Sequence, residues 1–202
     1  MNNNQQEAKW SENVILVDAD YVDKVAFNLI VNFERMIGRR IPQADLARWI
    51  DCIALDGGIR EGEHKTLVVL VHQKDKVKME NFLPGDYEKE LHEKAFKDHL
   101  GEFTINAYPI EDIAGGVDYL TDVLQLVVSQ KEVKRVMIIP NAEDTYIYNK
   151  VRAILNQQDD EQKHITVFAM QPMPGGNFRQ EILGYSLMSA LGISADEING
   201  KM

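Results

Sequence analysis

One short segment constrains this chain most: an apolar run that ends in two carboxylates. Residues 14–17 read Val-Ile-Leu-Val, and Asp18 and Asp20 follow them. An uninterrupted aliphatic run is typical of a strand that helices cover on both faces of a parallel sheet. In open α/β sheets, ligands bind outside the carboxyl ends of the strands. The segment therefore predicts a buried first strand with acidic groups at its ligand-binding end.

Helical periodicity follows this strand, and the same alternation continues along the chain. Apolar residues recur at helical spacing from residue 22 to residue 37, and Gly38 is expected to end that helix. About five apolar runs of strand length alternate with such helices. This βαβ rhythm predicts a three-layer α/β/α, Rossmannoid fold with a mostly parallel sheet of about five strands. Residues 1–12 are expected to form a disordered tail, and residues 13–202 a single α/β domain.

Boundary residues predict where the remaining helices begin and end. Pro42 is expected to open a helix over residues 42–55, and Asp86 to cap a helix over residues 86–100. Residues 178–191 are apolar around most of the helical circumference and predict the last long helix. Residues 194–197 match a capping box. The last long helix is either fully buried or in contact with a partner, so we expect a homodimer through this C-terminal helix.

Composition limits the classes of function. With 22 basic and 32 acidic residues, the formal net charge is −10, which opposes generic binding to nucleic-acid phosphates. Cys52 is the only cysteine, so no intrachain disulfide can form and a cytoplasmic location is expected. The polar first nine residues do not look like a signal peptide. No apolar stretch approaches the roughly 18 residues of a membrane span, so no membrane partner is expected.

Three acidic clusters are candidates for a functional site. The first is Asp18 with Asp20, the second is Asp118 after a pair of glycines, and the third includes Glu143 and Asp144 after an apolar run. Each cluster has a structural alternative, because Asp20, Asp118 and Asp144 stand where helix N-caps are expected. Asp18 ends a strand and has no evident capping role. If the three strand ends meet, their carboxylates form an acidic pocket suited to a hard divalent cation.

The order of these segments resembles the PIN-like NYN ribonuclease domains. Residues 14–18 are similar to that family's first-strand Asp motif, residues 116–118 to its Lys-Gly-Val-Asp-like segment, and residues 136–146 to its Ser-Gly-Asp-Ser-Asp-Phe-like turn. The resemblance covers roughly residues 13 to 170. It implies Asp18, Asp118 and Glu143 as ligands of Mg²⁺ or Mn²⁺, Asp144 as a further catalytic residue, and hydrolysis of RNA by a metal-dependent mechanism.

The chain departs from the family pattern at two positions. Tyr21 stands where the family has an Asn three positions after the first Asp, and Thr145 stands where its last acid is expected. A hydroxyl cannot replace an anionic ligand of Mg²⁺ without loss of affinity. We therefore expect a divergent PIN/NYN-like domain that serves as a binding or assembly module. The alternative is an active divalent-metal-dependent ribonuclease that binds RNA.

A third alternative rests on the first cluster alone. The segment from Asp18 to Val22 also resembles the Asp-x-Asp motif of haloacid-dehalogenase-type phosphatases. That resemblance implies Asp18 as nucleophile and Asp20 as general acid and base. Helical periodicity begins directly after the motif, which leaves no room for the turn and hairpin that this family places there. The five histidines show no metal-ligand spacing, so a zinc site is not expected.

Overall fold

A mixed seven-stranded sheet, flanked by helices on both faces, forms the centre of the molecule. The computed structural model describes residues 10–110, 116–158 and 161–200. The strands in the described residues are β1 (Asn13–Asp18), β2 (Ala44–Asp45), β3 (Lys65–Gln73), β4 (Phe82–Leu83), β5 (Lys94–Asp98), β6 (Gly101–Ile110), β7 (Arg135–Ile139), β8 (His164–Ala169) and β9 (Arg179–Ile182). The α-helices are α1 (Ala19–Ile37), α2 (Leu46–Asp56), α3 (Gly116–Ser129), α4 (Thr145–Asn156), α5 (Leu183–Ala190) and α6 (Ala195–Asn199).

The strand order of the large sheet is β5-β6-β3-β1-β7-β8-β9. All neighbours are parallel except β5, which pairs antiparallel with β6. The chain first builds outward from β1 to β3 and β6, then returns through α3 to build β7 and β8 on the other side of β1. The connections therefore diverge at β1 and β7. This switch point is where open α/β sheets bind their ligands.

Two apolar layers cover the sheet, one on each face, as alternate strand residues point to opposite sides. On one face, Ile15 and Val17 of β1 belong to the core cluster that includes α1, α2 and α5. On the other face, Val14 and Leu16 belong to the cluster that includes α3 and α4. The four residues of the opening run are fully buried. The predicted three-layer α/β/α fold with a mostly parallel sheet is thus confirmed.

Several element predictions differ from the structure. The large sheet has seven strands rather than about five, because the short edge strands β5 and β9 lack a long apolar run. The helix predicted over residues 86–100 is instead a single π-helical turn, Tyr87–Leu91, followed by β5. The helix predicted over residues 178–191 is divided into β9 and α5. At each place, pairing with a neighbouring strand overrides helical spacing in the sequence.

Helix boundaries follow capping chemistry more closely than they follow proline. The helix predicted from Pro42 begins only at Leu46, where the Asp45 side chain accepts a hydrogen bond from the backbone N–H of Arg48. Gly38 ends α1 in the left-handed conformation, as predicted. The capping box at residues 194–197 is also confirmed.

Residues 1–9 of the predicted tail lie outside the described residues. Glu12, the last residue of that predicted tail, accepts backbone hydrogen bonds from Lys134 and Arg135, so it is tied to the sheet. None of the helices in the described part of the chain is long and apolar enough to cross a bilayer.

Candidate functional site

An open cleft of about 600 Å³ lies at the carboxyl ends of the central strands, at the switch point of the sheet. Its walls come from the ends of β1, β3 and β6, the loop after β7, and the first turns of α1, α3 and α4. Polar and charged lining residues are Asp18, Asp20, Tyr21, Lys24, Gln73, Asn141, Glu143 and Asp144. Apolar lining residues are Val71, Ile110, Leu120 and Ile147. The cleft therefore combines four carboxylates with an apolar surface.

Asp18 is the N-cap of α1, so the capping role predicted for Asp20 belongs to Asp18. Its Oδ1 atom accepts a hydrogen bond from the backbone N–H of Tyr21 at 3.1 Å, and the helix begins at Ala19. Burial raises the pKa of the Asp18 carboxyl to about 6, although the Tyr21 N–H opposes this shift. Asp20 adds a smaller, repulsive contribution. Asp18 is thus a cap that also carries a poorly solvated charge.

Asp20 faces the neighbouring strand instead of capping its own helix. Its Oδ2 atom accepts a hydrogen bond of 2.6 Å from the backbone N–H of Gln73 at the end of β3. Burial raises the pKa of Asp20, while the Gln73 N–H and the nearby side chains of His72 and Lys76 oppose the shift. The contact fixes the start of α1 against β3. It also leaves Asp20 on the cleft wall.

Tyr21 is buried in the wall of the cleft with 6 % of its surface exposed. Its hydroxyl lies beside the Glu143 carboxylate, and burial together with that neighbour raises the Tyr21 pKa. The geometry falls short of a proper hydrogen bond, so the hydroxyl has no hydrogen-bond partner among the described residues. An aromatic ring thus occupies a wall position beside an acid of the third cluster.

The third acidic cluster divides between capping and cleft lining. Asp144 caps α4, because its Oδ1 atom accepts hydrogen bonds from the backbone N–H groups of Tyr146 at 3.0 Å and Ile147 at 3.3 Å. Glu143 is exposed and lines the cleft. The buried Oδ1 atom of Asn141 has no hydrogen-bond partner among the described residues. This loop therefore supplies the cleft with two exposed carboxylates, one of which caps α4, and with one unsatisfied acceptor.

Asp118 does not join the others. It lies outside the set of residues that line the cleft. Its Oδ1 atom accepts hydrogen bonds from Lys150 Nζ at 2.5 Å and from the Tyr146 hydroxyl at 3.2 Å. The Lys150 ammonium lowers the Asp118 pKa, and the pair joins α3 to α4. An ion pair thus holds the Asp118 carboxylate outside the cleft that Asp18 and Glu143 line, and a site role for Asp118 stays a prediction.

In the described part of the chain, the three carboxylates predicted as metal ligands do not lie together, because Asp118 is outside the cleft that Asp18 and Glu143 line. No group of three or more His, Cys, Asp or Glu side chains in residues 10–110, 116–158 and 161–200 has an arrangement that could hold a metal ion. The structure brings Asp18, Glu143 and Asp144 to one cleft but uses two of them as helix caps. A side chain that serves the helix has fewer lone pairs to offer a cation.

Sequence reasoning missed half of the cleft. Lys24, Gln73 and the apolar residues of the walls carry no motif, because their roles depend on which strand ends lie side by side. The ends of β3 and β6 were the sequence signal that could have pointed to the missed residues on these strands. Both strands are parallel neighbours on the β1 side of the switch point, so their last residues had to reach the same edge.

The comparison with protein families covers nearly the whole chain. A model described as a family of unknown function (DUF6621) matches residues 7–198. The chain belongs to DUF6621. No curated protein and no solved structure matches it. The cleft of this DUF6621 chain is thus interpreted from its own geometry.

Proposed function

We propose that this DUF6621 chain is a divergent PIN/NYN-like binding module whose cleft takes a small organic cation. The observation that carries the proposal is the lining of the cleft, where four carboxylates and one lysine accompany four aliphatic residues. A volume of about 600 Å³ is in the range of small-molecule sites. The carboxylates suit an ammonium group, and the aliphatic wall suits an apolar body.

The buried carboxyls add electrostatic support. Burial raises the pKa values of Asp18 and Asp20, since neither charge is well solvated. A cation close to them stabilises the charged forms and lowers both pKa values again. Binding is therefore expected to release protons and to strengthen as the pH rises through about 6, the pKa of Asp18.

A matched set of probes tests the ligand class. Benzylamine, benzyl alcohol and benzoate share one ring and differ in charge, and each is titrated by calorimetry at pH 5 and pH 7.5. We expect saturable binding of benzylamine alone, at least fivefold tighter at pH 7.5. Glu143→Gln, in the cleft, is expected to weaken this binding at least fivefold, and Glu132→Gln, on the exposed surface elsewhere, to leave it unchanged. Equal binding of all three probes, or none, contradicts the proposal.

A divalent-metal-dependent ribonuclease is the second candidate. The observation in its favour is that Asp18 and Glu143 line one cleft together with Asn141, whose Oδ1 atom is unsatisfied. Calorimetric titration with Mn²⁺ distinguishes the two candidates. Stoichiometric heat that Asp18→Asn abolishes, together with Mn²⁺-dependent cleavage of a single-stranded RNA, supports the nuclease. Absence of heat in both proteins removes it.

The phosphatase alternative has less support. Helix α1 begins at Ala19, so the segment after Asp18 is the first helical turn and not the turn and hairpin that the haloacid-dehalogenase family places there. The Asp20 carboxylate accepts a hydrogen bond from the Gln73 backbone at the end of β3. This contact gives no support to a role of Asp20 as general acid.

A homodimer through the C-terminal helix completes the proposal. The support is the Tyr185 side chain on α5, which is 73 % exposed next to Met188 and Ile193. Sedimentation equilibrium over a hundredfold concentration range tests it, and Tyr185→Glu is expected to dissociate the dimer. A monomer mass at every concentration contradicts it. A cytoplasmic location remains part of the same proposal, on the ground of the single Cys52.

A further inference from the structure

A second cleft, of about 240 Å³, lies at the opposite end of the sheet, where β1, β7 and β8 begin. It differs from the first in the sign of its charge. Charged and titratable groups around it are Glu12, Arg60, His64, Lys134, Arg135 and His164. With neutral imidazoles, the three cations and one carboxylate leave two positive charges. A chain with a net charge of −10 thus carries a positive cleft.

Backbone groups, not carboxylates, hold the two guanidinium groups in place. Arg135 Nη1 donates to the Gly57 carbonyl at 2.7 Å, and Arg60 Nη1 donates to the carbonyls of Leu55 at 2.9 Å and Ile59 at 3.0 Å. The Arg135 guanidinium packs so closely on Gly58 that a Cβ atom there would lie 2.6 Å from Nη1. Backbone carbonyls therefore position both arginines.

The cations repel one another. Within the described part of the chain, neither arginine nor Lys134 forms an ion pair with a carboxylate, and the Glu12 carboxylate lies 3.5 Å from His64 Nδ1. Burial and the nearby charges of Arg60 and Arg179 lower the pKa of Arg135, and the Glu12 carboxylate only partly opposes this shift. Like charges gathered around a concave surface favour an anion that neutralises them together.

The count and kind of cations select the anion. Guanidinium groups match the oxygens of phosphate and carboxylate, but two excess positive charges match the roughly −1.5 to −2 charge of a phosphomonoester better than a carboxylate. The volume is below the usual range for drug-sized ligands and leaves room for one phosphate-sized group. The overall acidity opposes a long polyanion.

We propose that the cleft formed by Arg60, Lys134 and Arg135 binds the phosphate group of a small phosphorylated molecule. Arg60, in the loop after α2, and Arg135, at the start of β7, contact the phosphate oxygens. Lys134 supplies the third charge from the exposed side. The site is separate from the acidic cleft, since it lies at the amino ends of the strands.

Calorimetric titration with inorganic phosphate and with phenyl phosphate tests the proposal, with acetate and a 12-nucleotide RNA as comparisons. We expect saturable one-to-one binding of both phosphate compounds and no saturable binding of acetate. Arg60→Gln and Lys134→Gln each remove one exposed cation and are expected to weaken binding at least tenfold. Arg40→Gln, an equal charge change at an exposed loop position outside both clefts, is expected to change it less than twofold.

The outcomes separate the possible ligands. Equal weakening by Arg40→Gln overturns the proposal, because the effect is then one of overall charge. Saturable acetate binding of similar affinity, or no saturable phosphate binding by the folded wild type, also overturns it. Tighter binding of the RNA, lost in Arg60→Gln, replaces the small molecule with a nucleic-acid backbone. Thermal unfolding of each variant confirms that it is folded before titration.

Discussion

At the scale of single residues, Asp18 meets two opposing requirements. As the N-cap of α1 it satisfies the Tyr21 N–H, and a charged cap also interacts favourably with the helix dipole. As a buried group it has lost much of its hydration, and this effect is the larger, since the pKa is raised to about 6. The position therefore favours a side chain that caps without carrying a charge.

Asp18→Asn is expected to stabilise the protein at pH 8, because Asn caps a helix as well as Asp does and has no charge to desolvate. The folded-state pKa lies above the unfolded value of 3.8, so the folded protein binds the proton more tightly. Stability of the wild type thus falls as the pH rises from about 4 to about 6. The gain is expected to be near zero at pH 4 and on the order of 2 kcal/mol at pH 8.

Urea unfolding of both proteins at the two pH values measures this gain. Asp18→Ala is the control, since it removes the cap as well as the charge and is expected to lose about 1 kcal/mol at pH 4. A gain for Asp18→Asn that is equal at both pH values would show that the carboxyl is not the cause.

At the scale of elements, the turn between β5 and β6 depends on Gly101. Its φ is +107°, and a Cβ atom at this position would lie 2.1 Å from the carbonyl oxygen of His64. The neighbouring backbone cannot yield, because the same carbonyl accepts the Glu102 N–H at 2.8 Å where β6 enters the sheet. The antiparallel pairing of β5 with β6 therefore depends on the absence of a side chain at Gly101. This edge strand was not predicted from the sequence.

Gly101→Ala is expected to destabilise the protein by about 3 kcal/mol or more, because a backbone clash adds to the strained φ. Gly38→Ala is the matched control. Gly38 also has a positive φ, of +71°, but no atom lies within 4 Å of a Cβ placed there. It is expected to cost only about 1 kcal/mol. Chemical denaturation of the two variants measures the difference, and similar losses would show that the clash is relieved.

At the scale of the whole molecule, the acidic residues make stability depend on pH in an unusual direction. Burial raises the pKa of Asp18, and burial together with the Asp98 carboxyl raises the pKa of Asp51 to about 7. Both groups bind protons more tightly in the folded state. The free energy of unfolding is therefore expected to fall as the pH rises from about 4 through 7, and the net charge of −10 adds repulsion in the same direction.

Thermal unfolding at pH 5.5 and pH 8 is expected to give the higher Tm at pH 5.5. The Asp18→Asn/Asp51→Asn double variant is expected to reduce this difference by more than half. The Asp51 share is on the order of 1 kcal/mol, since that carboxyl is partly exposed and solvent screens it. A Tm that is higher at pH 8 in the wild type would contradict the raised pKa values. The exposed ion pair of Glu197 with Arg39 does not oppose this trend. The Glu197 pKa is lowered from 4.5 to about 2, and both values lie below pH 5.5.

The buried run at residues 14–17 and the helical spacing after it were determined by the sequence alone. A continuous apolar run indicates a strand that is buried on both faces, and helical spacing indicates a helix that is buried on one face. The layered α/β fold could therefore be predicted from these two patterns. The edge strand β5 and the division of residues 178–191 could not, because strand pairing depends on a neighbour that is distant in the chain.

For the acidic cleft, too, the sequence predicted one part and the tertiary structure decided the other. The sequence placed Asp18 and Glu143 at strand ends, and the parallel sheet brought them together. Only the tertiary structure decided that Asp18, not Asp20, caps α1, and that Lys150 holds Asp118 outside the cleft. A carboxylate side chain is chemically the same whether it caps a helix, pairs with an ammonium group or faces a ligand. Their role is set by the donor that folding brings nearest, and local sequence does not encode that distance.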